Sequence, residues 1–130
     1  MRDLRPIADA AAILVFAVVG MASHNRLGAG GFLRDALPIL GGWFAAAAVF
    51  RLYRRGGAWR LLATWAVGVP LGVLVRALAL GRALDRHEAA FLATTLVFTL
   101  LFVLAGRLAL RIGRKGAAGF ALRRPPAARR

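Results

Sequence analysis

Apolar residues in this chain fall into four long runs, with charged residues concentrated at their ends and in the gaps between them. The runs cover about 7–23, 36–53, 59–80 and 88–111. Their centres carry no charge from Ala10 to Ala22, from Leu61 to Val75 and from Ala89 to Gly106. A helix needs about 20 residues to cross roughly 30 Å of hydrocarbon. The first run is the shortest by that measure, and the other three fit comfortably. None of the runs alternates apolar with polar positions, and an open sheet would leave unpaired edge groups in lipid. The pattern therefore predicts an all-α chain, a polytopic transmembrane four-helix bundle. Pro70 sits in the middle of the third run and removes a backbone donor, which predicts a kink in that helix.

The gaps read as connectors. Residues 24–35 hold Asn25, Gly28, Gly30 and Gly31, a turn-rich link. Arg54-Arg55-Gly56-Gly57 reads as a tight basic turn, and 81–87 as a short charged loop. Residues 1–112 then form one membrane domain. Residues 113–130 form a basic cytoplasmic tail, expected to be disordered because little but Phe120 and Leu122 interrupts its polarity.

Composition sharpens this picture. The 130 residues are 60% hydrophobic, and the formal net charge is +14. The mean hydropathy is +0.66, which no soluble domain of this size would show. In a soluble chain such charge would suggest nucleic acid. Here arginines flank apolar segments, so they read as anchors against anionic lipid headgroups, with no nucleic acid implied. Counting basic residues near the runs places Arg2, Arg5, Arg51, Arg54, Arg55, Arg60 and the tail on one face. Arg26, Arg34, Arg82 and Arg86 lie on the other, with Arg76 just inside it. The positive-inside rule then puts both termini and the middle loop in the cytoplasm, with the chain in the inner (plasma) membrane. The rival reading of the first run is a cleaved signal peptide ending at Gly20-Met21-Ala22, which Asp3 and Asp9 fit poorly. The arginine- and alanine-rich composition suggests a bacterial source. There is no cysteine and no metal-ligand spacing, so neither a metal site nor a cofactor is expected. The sole serine, Ser23, offers no catalytic set with His24, and no enzyme activity is expected.

Ionisable groups inside spans are costly and mark candidate sites. Asp9 reads either as a first-turn acid favoured by the helix dipole or as the partner of Arg107. Those two fall at similar depth if the first and fourth helices are antiparallel neighbours; Arg107 could instead reach the headgroups alone. At the other end, Arg76 has Glu88 and Asp85 within reach, and His24 lies at that level. His24, Arg76 and Glu88 form either a cluster able to take up a proton or anion, or a set of interfacial groups satisfied by water and lipid phosphate. In the third run Gly68 and Gly72 bracket Pro70, a small-residue stripe for helix packing or a hinge. Gly41, Gly42 and Ala45–Ala48 give the second run a similarly smooth face, and Tyr53 and Trp59 suit the interfacial belt.

Taken in order, Asp9, Phe16, Gly20 and Ser23-His24 stand in the first run, Leu37-Pro38 and Gly42-Trp43 in the second. Thr64, Gly68, Gly72 and Arg76 recur every fourth residue in the third. Together they resemble domain-of-unknown-function family 3054, small four-span prokaryotic membrane proteins, over about Arg5 to Arg111. The resemblance implies fold and location and transfers no catalytic residue. Two function classes follow. One is a small transporter or permeation unit that works as a homo-oligomer around a polar path lined by Asp9, His24, Arg76 and Arg107. The alternative is a non-transporting membrane interaction or envelope-organising protein whose basic loops and tail hold anionic lipid or an acidic partner.

Overall fold

The computed structural model describes residues 3–23, 28–82 and 84–122. Those residues form helices and turns with no strand among them. The elements are α1 (Arg5–Ser23), α2 (Ala29–Val49), the single turn α3 (Leu52–Arg55), α4 (Ala58–Ala79) and α5 (Arg86–Leu122). All but α3 are long and apolar enough to cross a membrane. Their outward faces carry exposed Ile7, Val15, Val49, Leu78 and Leu101, as a lipid-facing surface requires.

Two boundaries differ from the sequence reading. The second helix starts at Ala29, so Gly30, Gly31, Arg34 and Asp35 are helical and not part of a loop. Asp35 is tolerated there because it is paired across the bundle, as described below. That helix also ends at Val49, before Tyr53. Arg51 takes a left-handed backbone conformation (φ 54°), and Gly56 and Gly57 follow at φ 63° and 103°. The last two are the expected tight turn, since glycine enters this region without steric cost. α4 continues as helix through Pro70 to Ala79. α5 runs beyond Arg111 to Leu122, so the first part of the basic tail is helical.

Around the bundle the order is α1, α2, α4, α5, with α5 closing back on α1 and α2–α4 the most extensive contact. Each helix is antiparallel to its neighbours: Asp35 and Glu88, near the starts of α2 and α5, meet Arg76 in the last turn of α4, and Asp9 in the first part of α1 meets Arg107 in the second half of α5. The core holds Ile13, Phe16, Ile39, Trp43, Val69 and Val103.

The α2–α4 approach depends on glycine. A Cβ on Gly42 would clash with Gly68 O and stand 2.6 Å from Gly72 N. One on Gly72 would stand 2.6 Å from Ile39 Cα and 2.7 Å from Pro38 O. One on Gly68 would lie 2.9 Å from Gly42 O. The small-residue stripe of the third span thus meets that of the second inside a single chain. Lipid tails give no hydrophobic drive between helices, so close backbone packing is the main attraction available.

Candidate functional site

Each acid of the chain has a partner, and these partners define two charged ends. At the first end Asp9, fully buried on α1, receives Arg107 from α5 in a two-pronged pair. Arg107 Nε donates to Oδ1 at 2.9 Å and Nη2 to Oδ2 at 2.6 Å. Tyr53 Oη donates to Asp9 Oδ2 at 2.9 Å, and Trp43 Nε1 donates to Tyr53 Oη at 2.9 Å. The planar guanidinium matches the carboxylate fork, which makes this the strong form of charge-assisted bond. Of the readings left open for Asp9, the Arg107 pair is the one the geometry shows. Sequence reasoning missed Tyr53 and Trp43. The left-handed turn at Arg51 separates α3 from α2, and from α3 Tyr53 reaches Asp9 when its spacing had suggested an interfacial belt.

Beside this end, ahead of the first helix, Asp3 accepts from Arg5 at 2.7–3.0 Å. The Arg5 side-chain hydrogen bonds hold its carboxyl down at about 2. Arg51, Arg54, Arg55, Arg111, Arg114 and Lys115 are exposed here.

At the second end Arg76 is buried and shared. Its Nε donates to Asp35 Oδ1 at 2.7 Å, and its Nη1 lies 3.4 Å from both Glu88 oxygens. The guanidinium carbon stands 4.2 Å from the centre of the Phe91 ring, a cation–π contact. Arg82 reaches Glu88 Oε1 at 3.3 Å from a half-exposed position. Asp85 accepts from the backbone N–H groups of His87 (2.9 Å) and Glu88 (3.1 Å), capping α5. Those bonds hold its carboxyl below the ordinary value. Arg76 and Glu88 therefore come together as expected, while Asp85 serves the helix start. Asp35 was missed because it follows Arg34 in an apparent loop. The signal available was scarcity: with five acids against 19 bases, each carboxylate has many suitors. His24 lies outside the described residues.

Between α1, α2, α4 and α5 at this second end lies a cavity of about 910 Å³. Its rim carries Arg34, Asp35, Arg76, Arg82, His87 and Glu88; its walls are apolar, with Phe16, Met21, Ile39, Phe91, Phe98 and Phe102. The volume falls in the range of roughly 300–1,000 Å³ typical of small-molecule sites. Thr95 also lines it. Thr64, Thr95 and Thr99 are fully buried, and their hydroxyls have no hydrogen-bond partner. Trp65 Nε1 donates to Leu96 O at 2.9 Å and fastens α4 to α5. No group of three or more potential metal ligands occurs among the described residues.

The family model described as "Protein of unknown function (DUF3054)" matches residues 7–110 of the chain. That span is most of the sequence, and the chain belongs to this family. Among curated proteins and among solved structures, none matches it.

Proposed function

We propose that this member of the DUF3054 family is a multi-pass inner-membrane protein that binds an amphiphile from the bilayer, and is not an enzyme. Its termini and its most basic end face the cytoplasm, which puts the cavity in the outer half of the membrane. The observation that carries the reading is the cavity itself: a charged rim above aromatic and aliphatic walls. Such a site suits a molecule with a polar head and a hydrocarbon tail.

The Asp9–Arg107 pair does not need a permeation path to explain it. Asp9 is fully buried and accepts from Arg107 and Tyr53, so it acts as a fastening between α1, α5 and the α2–α3 corner. A permeation unit would need these charges to face water. Small-molecule movement, if the protein performs it, runs through the cavity end.

The test is photo-crosslinking with a phospholipid carrying a diazirine in its acyl chain. Adducts should concentrate on Phe16–Met21 and Phe91–Phe102, and Ala17→Trp, which fills the cavity, should suppress them. Adducts spread evenly over outward positions such as Val49 and Leu78 would sink the proposal.

A further inference from the structure

We infer that the amphiphile is a bilayer phospholipid with a net negative headgroup, its phosphate held by Arg34 and Arg82 and an acyl chain laid between α1 and α5. This rests on the cavity reading above and adds the headgroup to it.

The rim is unevenly charged. Arg34, Arg76 and Arg82 face Asp35 and Glu88, so the guanidinium groups outnumber the carboxylates before His87 is considered. Arg76 is committed, being buried between both carboxylates and stacked on Phe91. Arg34 is exposed and has no ion pair among the described residues. Arg82 has half of its side chain exposed and touches Glu88 only at 3.3 Å, leaving donors free. Two guanidiniums at the mouth of one cavity are the groups that planar, two-pronged phosphate recognition uses. A zwitterionic head would bring its own cation against this positive rim, so a net anionic head fits better.

The tail follows from the walls. Val19 and Phe98 line the cavity and are each about half exposed, at 49% and 44%, so the cavity is open toward the lipid between α1 and α5. At the opposite end those helices are clasped by Asp9–Arg107 and pass closely at Gly106, where a Cβ would stand 3.6 Å from Ala8 O. Among the described residues, this opening between α1 and α5 is the side entrance assigned to the acyl chain. Thr95 provides the second polar feature. It lies seven residues beyond Glu88 on α5, about 10 Å deeper at helical rise. It lines the cavity and is fully buried, with a hydroxyl that has no partner. An unmade hydrogen bond there is costly, and an ester carbonyl of the ligand would accept it.

The experiment is native mass spectrometry of the full chain in mild detergent, titrated with phosphatidylglycerol and phosphatidylcholine of identical acyl chains. Phosphatidylglycerol should be retained more tightly by about fivefold, near the effect of one interfacial arginine. Arg34→Gln and Arg82→Gln should each erase that preference, weakening phosphatidylglycerol more than phosphatidylcholine, whose phosphate the same arginines touch. Arg34 has no ion pair to lose, so its variant keeps the fold. Ala17→Trp should abolish binding of both lipids. Equal retention of the two lipids by the parent overturns the headgroup inference and leaves the cavity reading standing. A preference that survives Ala17→Trp also overturns it, because the anionic lipid then sits on the basic cytoplasmic end. Retention of neither lipid overturns the cavity reading itself.

Discussion

The α2–α4 seam gives the sharpest quantitative test of the fold. Gly41 and Gly42 are neighbours on α2 with opposite surroundings. A Cβ on Gly41 meets nothing within 4 Å, whereas one on Gly42 clashes with Gly68 O and stands 2.6 Å from Gly72 N. Ordinary contact for such an atom begins near 3.4 Å, so Gly42→Ala must push the helices apart by close to 1 Å. A gap of 0.5–1 Å forfeits about a quarter to a half of each dispersion well along the seam, and overpacking of this kind costs about 1–3 kcal/mol. Against that, alanine gains about 1 kcal/mol over glycine in a helix. Gly41→Ala collects the gain alone and should be neutral or stabilising. After the offset Gly42→Ala should be destabilising by up to about 2 kcal/mol, and Gly72→Ala similarly, since a Cβ there meets Ile39 Cα and Pro38 O. The double variant Gly42→Ala/Gly72→Ala should cost less than the sum, because one separation relieves both clashes. Reversible unfolding in mixed detergent micelles, followed by helical circular dichroism, reads these differences. If Gly42→Ala is as harmless as Gly41→Ala, the seam is not packed as described and the reasoning fails.

Other outcomes follow from the charged ends. Arg107→Gln leaves the Asp9 carboxylate buried without its counter-charge and should destabilise by about 3–5 kcal/mol. Asp9→Asn/Arg107→Gln together should cost clearly less than the two single changes added, in the same unfolding assay; strict additivity would mean that the pair is not coupled. Asp85→Ala removes the acceptor for two N–H groups at the start of α5, and faster amide exchange at His87 and Glu88 is the expected sign; unchanged exchange would dismiss the cap. Asp3 has a folded-state value of about 2 against an ordinary 3.8, a depressed acid. Its contribution is therefore fully present above the ordinary value and fades as pH falls toward 2. Because the pair is partly exposed, Asp3→Asn should flatten only a small slope in that acid window. A carboxyl titrating at its ordinary value in a pH series of NMR spectra would show that Arg5 does not hold it.

The membrane spans were legible because lipid demands long apolar helices and the chain has four such runs. The Asp9–Arg107 pair was legible for a related reason: depth along two antiparallel helices can be counted from the sequence. What could not be counted was rotation. The close approach of Gly42 to Gly68 and Gly72 depends on which faces α2 and α4 turn to each other, and sequence shows glycine on both without showing that they meet. The start of α2 was misplaced because Gly30, Gly31, Arg34 and Asp35 carry every local mark of a loop. Tertiary pairing of Asp35 with Arg76 overrides those marks. Tyr53 was assigned to the headgroup region by its neighbours, yet it reaches Asp9 from α3, beyond the single left-handed residue Arg51. The cavity is a property of spacing among four helices and leaves no trace in any one of them.

The reach of the Asp9–Arg107 pair bears on how the chain is made. Its members stand 98 positions apart, against 41 for Asp35 and Arg76. Synthesis proceeds from the N-terminus, so α1 is delivered to the bilayer with a carboxylate whose guanidinium is the last to arrive. α2 and α4 can mate before then, through their glycines and the Asp35–Arg76 bond. α5 is the latch: Glu88 closes on Arg76 and Arg107 closes on Asp9 as it enters. A nascent chain halted before α5 would present an orphaned acid in hydrocarbon, the feature by which membrane quality control could tell an unfinished molecule from a finished one.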